Sequence, residues 1–242
     1  MTDSVRIVPR QDAILEVVLA SPASGNLLSP SMVDAIVQAF EAMSPTTRAV
    51  YLHADGPDFC TGRTSVIPPP GTRATALDLR HSIADPILDF YQCVRDLNVP
   101  LIISVRGKAA GVGCALAGLA DVCIASEDAK FSVPEMDKDI APTLVMAALS
   151  DRLSRAALAR LIFTRDSLAA SEAQAIGLVS MTCPSDQIEG HVAALLAKLA
   201  RNSVPTLRGV KSFLKHHPET SFAARRDAAA LINCVVMAEK YR

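Results

Sequence analysis

The sequence has no tryptophan, and aromatic residues of any kind make up only 4% of its 242 positions, which excludes an aromatic recognition surface. It also lacks an excess of either charge. Twenty-four Lys and Arg stand against 25 Asp and Glu, for a net charge of -1. Such a chain has no broad attraction to nucleic acid or to an anionic membrane. Six cysteines are present but no C-x-x-C pair, and several sit inside apolar runs where thiols act as small hydrophobes. A disulfide framework is therefore excluded, and reduced thiols in a reducing compartment are expected. The longest apolar run, Ala109 to Leu119, is too short to span a bilayer and is interrupted by three glycines. Met1-Thr2-Asp3-Ser4 carries no basic start ahead of an apolar stretch, so no signal peptide and a cytoplasmic location are expected.

What the chain does have is aliphatic bulk. Half of it is hydrophobic, mostly Ala, Val, Leu and Ile, and its length is ample for a buried core. Disorder is excluded on the same ground, because this much apolar surface offsets chain entropy when buried. The first third alternates strand and helix patterns. Ile14–Ala20 is a β-branched run stopped by Ser21-Pro22-Ala23-Ser24-Gly25. Ser29-Pro30 then opens a helix whose Met32, Val33, Ile36, Val37, Phe40 and Met43 recur at helical spacing. Further strands are expected at Ala49–Ala54, Leu101–Val105 and Asp121–Ala125, with a helix over roughly 79–97. Val66–Thr75, with its Pro68-Pro69-Pro70-Gly71, reads as a surface loop. From Pro142 onward nearly everything reads as helix, apart from a strand near Leu178–Thr182. This order is that of an α/β fold with a helical C-terminal region.

Chemistry enters at two turns. At Gly107–Gly113 a strand runs into a glycine-rich turn and a helix begins, leaving backbone N–H groups without intrahelical partners. Gly111-x-Gly113 is not a dinucleotide fingerprint, because position 116 is Leu, and no Gly-Lys-Ser/Thr of a P-loop follows. Two readings stand: a turn where glycines permit close helix–strand packing, or a site for an anion or developing oxyanion. Asp58-Phe59-Cys60-Thr61-Gly62-Arg63-Thr64 also follows a strand and offers a free N–H near Arg63. Two such donors meeting at one carbonyl oxygen stabilise an enolate or tetrahedral intermediate.

Five stretches in order resemble the crotonase superfamily, also called the enoyl-CoA hydratase/isomerase family. Ser21–Ser29 is similar to its R-P-x-x-x-N-A-L-S, Phe59–Thr64 to its F-x-A-G-A-D, and Pro100–Gly113 to its P-x-I-A-x-x-G-x-A-x-G-G-G. Asp121–Glu135 carries an intact D-x-x-I-A-S-x-x-A-x-F-x-x-P-E, and Ala170–Val179 resembles A-x-E-A-x-x-x-G-L-V. The resemblance covers about Ile14 to Lys211. It implies a crotonase-like spiral of ββα units at 1–185 holding the acyl-CoA pocket, and a C-terminal helical region at 186–242 for packing and oligomerisation. It further implies an acyl-CoA thioester substrate, with coenzyme A as part of that substrate and no separate cofactor or metal. A homotrimer or dimer of trimers is the assembly it implies.

Carried over position by position, the oxyanion-hole donors are the backbone N–H groups of Arg63 and Val112, and the base is Glu135. Gly62, Gly111, Gly113, Ala115 and Pro134 fall around the substrate, and Lys211 matches a lysine near the CoA nucleotide; an exposed helix lysine is its other reading. Family hydratases use two glutamates. Here the first position is Ala115, which cannot move a proton. One carboxylate facing an oxyanion hole suits an enoyl-CoA isomerase, which shuttles a proton between C2 and C4. The rivals are a hydratase or hydrolase that recruits another residue (His81, Asp137 and Asp139 are candidates) and a catalytically weak CoA-binding protein. Asp139 stands where a glycine is usual, and Thr143-Leu144-Val145-Met146 replaces a glycine-rich stretch. His216-His217 reads as surface rather than as a metal site.

Overall fold

The computed structural model describes residues 4–64, 74–216 and 222–239. Most of the proline-rich stretch 66–75, together with His217 and Pro218, lies outside them. Nine strands are present among the described residues: β1 (Val5–Pro9), β2 (Ile14–Leu19), β3 (Ala49–Ala54), β4 (Leu101–Val105), β5 (Lys108–Ala110), β6 (Val122–Ser126), β7 (Lys130–Ser132), β8 (Leu168–Ala169) and β9 (Met181–Cys183). The helices are α1 (Pro30–Glu41), α2 (Ala76–Leu79), α3 (Asp85–Asp96), α4 (Val112–Leu119), α5 (Thr143–Leu149), α6 (Arg155–Thr164), α7 (Ala170–Ala175), α8 (Ile188–Ala200), α9 (Val204–His216) and α10 (Phe222–Glu239).

The main sheet runs β1-β2-β3-β4-β6-β9, with β1 antiparallel to β2 and every other pair parallel. A second sheet runs β5-β7-β8, and single bridges Cys60–Ala109 and Leu28–Arg63 carry its hydrogen bonding on toward α1. Each turn of the chain thus adds a long strand to one layer, a short one to the other, and then a helix, as in β4-β5-α4 and β6-β7-α5. That is the expected spiral of ββα units. β1, β5, β7 and β8 are strands that the sequence pattern does not reveal. Most of β1 is exposed on the sheet edge, and the other three span at most three residues.

Alternation along the parallel strands divides the interior. Leu15, Val17, Leu19, Val50, Leu52, Leu101 and Ile103 face the space enclosed by the two sheets and α1, α3 and α4. Ile14, Tyr51, Ile102 and Ile124 face outward and are covered by Ile188, Val192 and Leu196 of α8. So α8, although it lies beyond residue 185, packs on the main sheet. α10 packs on α9, where Ile232 and Val236 come so close to Gly209 that a Cβ there would meet both at 2.9 Å. α1 begins as its sequence dictates. The Ser29 hydroxyl accepts the Met32 N–H at 3.3 Å, Pro30 occupies the first turn, and Met32, Ile36 and Phe40 are buried. Such a cap contributes about 1 kcal/mol.

Candidate active site

The two turns singled out in the sequence lie side by side because a ladder of main-chain bonds joins them. Phe59 N–H donates to Arg106 O at 2.9 Å, Cys60 N–H to Lys108 O at 3.1 Å, and Ala110 N–H to Cys60 O at 2.9 Å. Buried Asn26 fixes the loop in front of them: its amide donates to Asp55 O and Asp58 O, and its oxygen accepts the Ser21 N–H. Gly113 permits the final approach. A Cβ there would lie 2.2 Å from the Cys60 carbonyl oxygen, a backbone atom with little freedom to move. The packing and oxyanion readings of this turn are therefore compatible, since close packing is what brings the two turns together.

Both donors are free for structural reasons. Leu28 bridges Arg63 in parallel, and the bonds of that bridge use Gly62 O and Thr64 N–H, so the Arg63 N–H points to the other side. Val112 is the first residue of α4, after Gly111 at its N-cap, and its N–H has no intrahelical acceptor. Among the described residues, neither group donates a backbone hydrogen bond. Both residues line one cavity of about 340 Å³, together with Gly62, Tyr91, Pro134 and Glu135.

Glu135 follows Pro134 at the start of a 3-10 turn, Pro134–Lys138, that leads out of β7. Its carboxylate lies against Gly111: a Cβ on that glycine would stand 2.7 Å from Oε1. Gly111 also has φ +54, which any larger residue adopts only with strain. Glu135 Oε2 is buried and has no hydrogen-bond partner among the described residues. Burial raises the Glu135 pKa above the ordinary carboxylate value, while its own N–H and the charges of Arg63 and Lys138 pull the other way. A desolvated, under-partnered carboxylate is a strong base when ionised.

The other expected residues divide. Ala115 is fully buried in the core and is not among the residues that line the cavity. Gly111 and Gly113 act behind the cavity wall, by admitting Glu135 and Cys60. Lys211 is not exposed and does not line this cavity. It is buried and pairs with Asp121 at 2.6 Å, and Asp121 also accepts the Leu101 N–H at 2.7 Å. A separate concavity holds that pair. His81 is exposed, Asp137 reaches toward Arg165 at 3.4 Å, and Asp139 is exposed; none of the three lines the cavity. Asp139 has φ +55, which explains why a glycine is usual there: the position serves a left-handed turn. Leu144 and Val145, in place of glycines, do line the cavity and narrow it.

Sequence reasoning missed Tyr91, Ile83 and Ile87. Their apolar helical spacing reads as core, and Tyr91 is indeed buried, yet all three line the cavity. Burial pushes the Tyr91 phenol well above its ordinary pKa, which keeps it a hydrogen-bond donor. Ile83 lies in a π-type turn, Arg80–Ala84, closed by Asp85 N–H to Arg80 O; such widened turns recur at functional sites. All six cysteines are free, and burial pushes the Cys60 thiol behind the cavity up to about 11, so it is no nucleophile.

Spiral topology, and a cavity lined by a half-buried carboxylate and by two residues whose N–H groups donate no backbone hydrogen bond among the described residues, together define a crotonase-type fold with a candidate acyl-transforming site. The sequence model of the family described as Enoyl-CoA hydratase/isomerase matches residues 9–237, and the chain belongs to that family. It is 30% identical over 223 residues to 2,3-dehydroadipyl-CoA hydratase of Escherichia coli (strain K12), covering 90% of this chain and 84% of that one. Its fold matches that of enoyl-CoA hydratase from Mycobacterium smegmatis with a TM-score of 0.88 at 22% identity, over 96% and 90% of the two chains. A putative enoyl-CoA hydratase from Thermobifida fusca YX, solved in complex with CoA, matches with a TM-score of 0.86 at 19% identity, over 98% and 94%. No helix among the described residues is long and apolar enough to cross a membrane.

Proposed function

We infer that the protein is an acyl-CoA enzyme that shifts a double bond by proton transfer next to the thioester carbonyl. One observation carries this reading: Glu135 lines the same cavity as Arg63 and Val112, whose N–H groups donate no backbone hydrogen bond among the described residues, while the position of a second glutamate is a buried alanine. In a 3-enoyl thioester, the Glu135 carboxylate takes a proton from C2. The electron pair moves into the carbonyl, and the resulting enolate oxygen accepts hydrogen bonds from the two N–H groups at the positive end of α4. Glu135, now protonated, returns the proton at C4 as the double bond moves to C2–C3. Atoms and charge balance without water or a cofactor. Coenzyme A enters as part of the substrate, as the CoA-bound neighbour supports.

Hydration is the second reading, favoured by the name of the 30%-identical relative and by the Tyr91 phenol, which lines the same cavity. A turnover screen of matched 3-enoyl- and 2-enoyl-CoA thioesters separates the two. The isomerase reading expects conversion of the 3-enoyl thioester and little hydration of the 2-enoyl one. Rapid hydration with no double-bond shift overturns it.

A further inference from the structure

Arg63 contributes more than its N–H. It stands where the family pattern has alanine, and so brings a guanidinium to a position usually filled by a methyl group. One arm of that group donates to Ile83 O at 3.1 Å, tying the π-type turn ahead of α3 to the oxyanion turn. Its other donors have no carboxylate partner among the described residues. A half-buried guanidinium with one hydrogen bond and no carboxylate partner among the described residues, at a cavity wall, is a ready receptor for a planar anion.

Its placement says where that anion would come from. Arg63, Thr64, Ile83 and Ile87 line both the Glu135 cavity and a second, larger one of about 540 Å³ between α1 and α3. The second cavity is walled by Leu28, Val33, Val37 and Phe90 but also carries Asp34, Glu41 and Asp89. A thioester whose oxygen sits on the Arg63 and Val112 N–H groups has two directions for its acyl chain that matter here. A long neutral chain can run past the guanidinium into the apolar groove. An anionic chain end is repelled by the groove's three carboxylates and attracted at its entrance by Arg63. Such an entrance would discriminate both by charge and by length.

We propose that the Arg63 guanidinium is the receptor for the distal carboxylate of a short acyl chain, so that the cavity selects mono-CoA thioesters of dicarboxylic acids over neutral thioesters of equal length. The site rests on the acyl-CoA reading above, but its test does not depend on turnover. Calorimetric binding of saturated, unreactive thioesters is the measurement, with glutaryl-CoA against valeryl-CoA and adipyl-CoA against hexanoyl-CoA. Wild-type protein is expected to favour the dicarboxylic member of at least one pair by about 10-fold or more, as a charge-assisted bidentate contact requires. R63M is expected to abolish the ratio, and R63K to keep part of it. Reading the ratio within each variant removes any loss common to both ligands through the altered turn.

Equal binding of both pairs to the wild-type protein overturns the proposal without any variant, so a poorly folded R63M does not rescue it. A ratio that survives in R63M overturns it as well. If CoA thioesters bind but 3-enoyl thioesters are not isomerised, the reaction reading falls while the charge preference is still measured. If no CoA thioester binds, both readings fall together.

Discussion

Glu135 and Asp121 are both carboxylates drawn largely out of water, and the molecule treats them in opposite ways. Asp121 Oδ2 receives the Leu101 N–H at 2.7 Å and the Lys211 ammonium at 2.6 Å. Glu135 keeps one oxygen buried and without a partner among the described residues, and its carboxylate rests against a glycine whose lack of a side chain makes room for it. Satisfying a buried carboxylate makes it structure. Leaving it short of partners, in a cavity that Arg63 and Val112 also line, is what the proposed proton transfer requires.

Glu135→Gln breaks the comparison most sharply. It is expected to lower kcat by about 10²–10⁴-fold, with little change in the affinity for a saturated acyl-CoA. Activity of the wild type is expected to fall in acid as Glu135 is protonated, at a pH above the ordinary carboxylate range, and the variant's residual rate should lack that limb. Stability moves the other way. Because its pKa is raised on folding, Glu135 contributes stability that is fully present below the ordinary carboxylate value and is lost as pH rises through the raised one. Thermal melts should therefore show E135Q with a higher Tm than wild type near neutrality and no such gain in mild acid. Equal Tm at both would mean the carboxylate is solvated after all.

Lys211→Met is the mirror experiment. Removing the partner of a satisfied carboxylate is expected to cost about 3 kcal/mol in urea unfolding, because Asp121 is left uncompensated. Acyl-CoA affinity is expected to stay unchanged, since Lys211 lies in a different concavity from Glu135. Weaker CoA binding with unaltered stability would return Lys211 to the role that its sequence position implies.

How far each carboxylate was legible follows from what specifies it. The Glu135 site is set largely by backbone geometry, and backbone demands leave marks in sequence. Gly111 and Gly113 are required by contacts at 2.7 and 2.2 Å, and Pro134-Glu135 sits at the end of an intact motif. Ala115 was readable as a missing carboxylate, though not as a fully buried residue. The Asp121–Lys211 pair joins residues 90 positions apart, and nothing local to Lys211 announces its partner. Tyr91 was hidden for another reason: a cavity wall and a core present the same apolar spacing along a helix. The bulk of Asp139 made sense only once its positive φ was seen.

Gly111→Ala tests whether that glycine is there for the carboxylate. The new methyl would stand 2.7 Å from Glu135 Oε1 and sit on a backbone of positive φ. Displacing the base by about 1 Å is expected to cost about 10²-fold in kcat. Pairing the change with E135Q sharpens the reading. If G111A acts by moving the carboxylate, it should have little further effect once the carboxylate is gone, and full additivity would assign the loss to the turn itself.

The smallest effect concerns Tyr91, and it bears on why Glu135 can be left so short of partners. The phenol lines the cavity within electrostatic reach of Glu135 and Arg63, and burial holds it in its protonated, donating form. A single neutral hydrogen bond to substrate or to a cavity water is worth about 1 kcal/mol, so Tyr91→Phe is expected to lower kcat/KM by about 10-fold or less. Its distribution between reactions is the informative part. In a pure Glu135 shuttle the loss should be equal for forward and reverse isomerisation and absent from the acid limb of the pH profile. A loss confined to water addition would instead make Tyr91 the group that holds water, doing at α3 what Ala115 cannot do at α4. Glu135 would then be under-partnered only in the absence of ligand, and its contrast with Asp121 would be one between a carboxylate already paired and one that substrate and water complete.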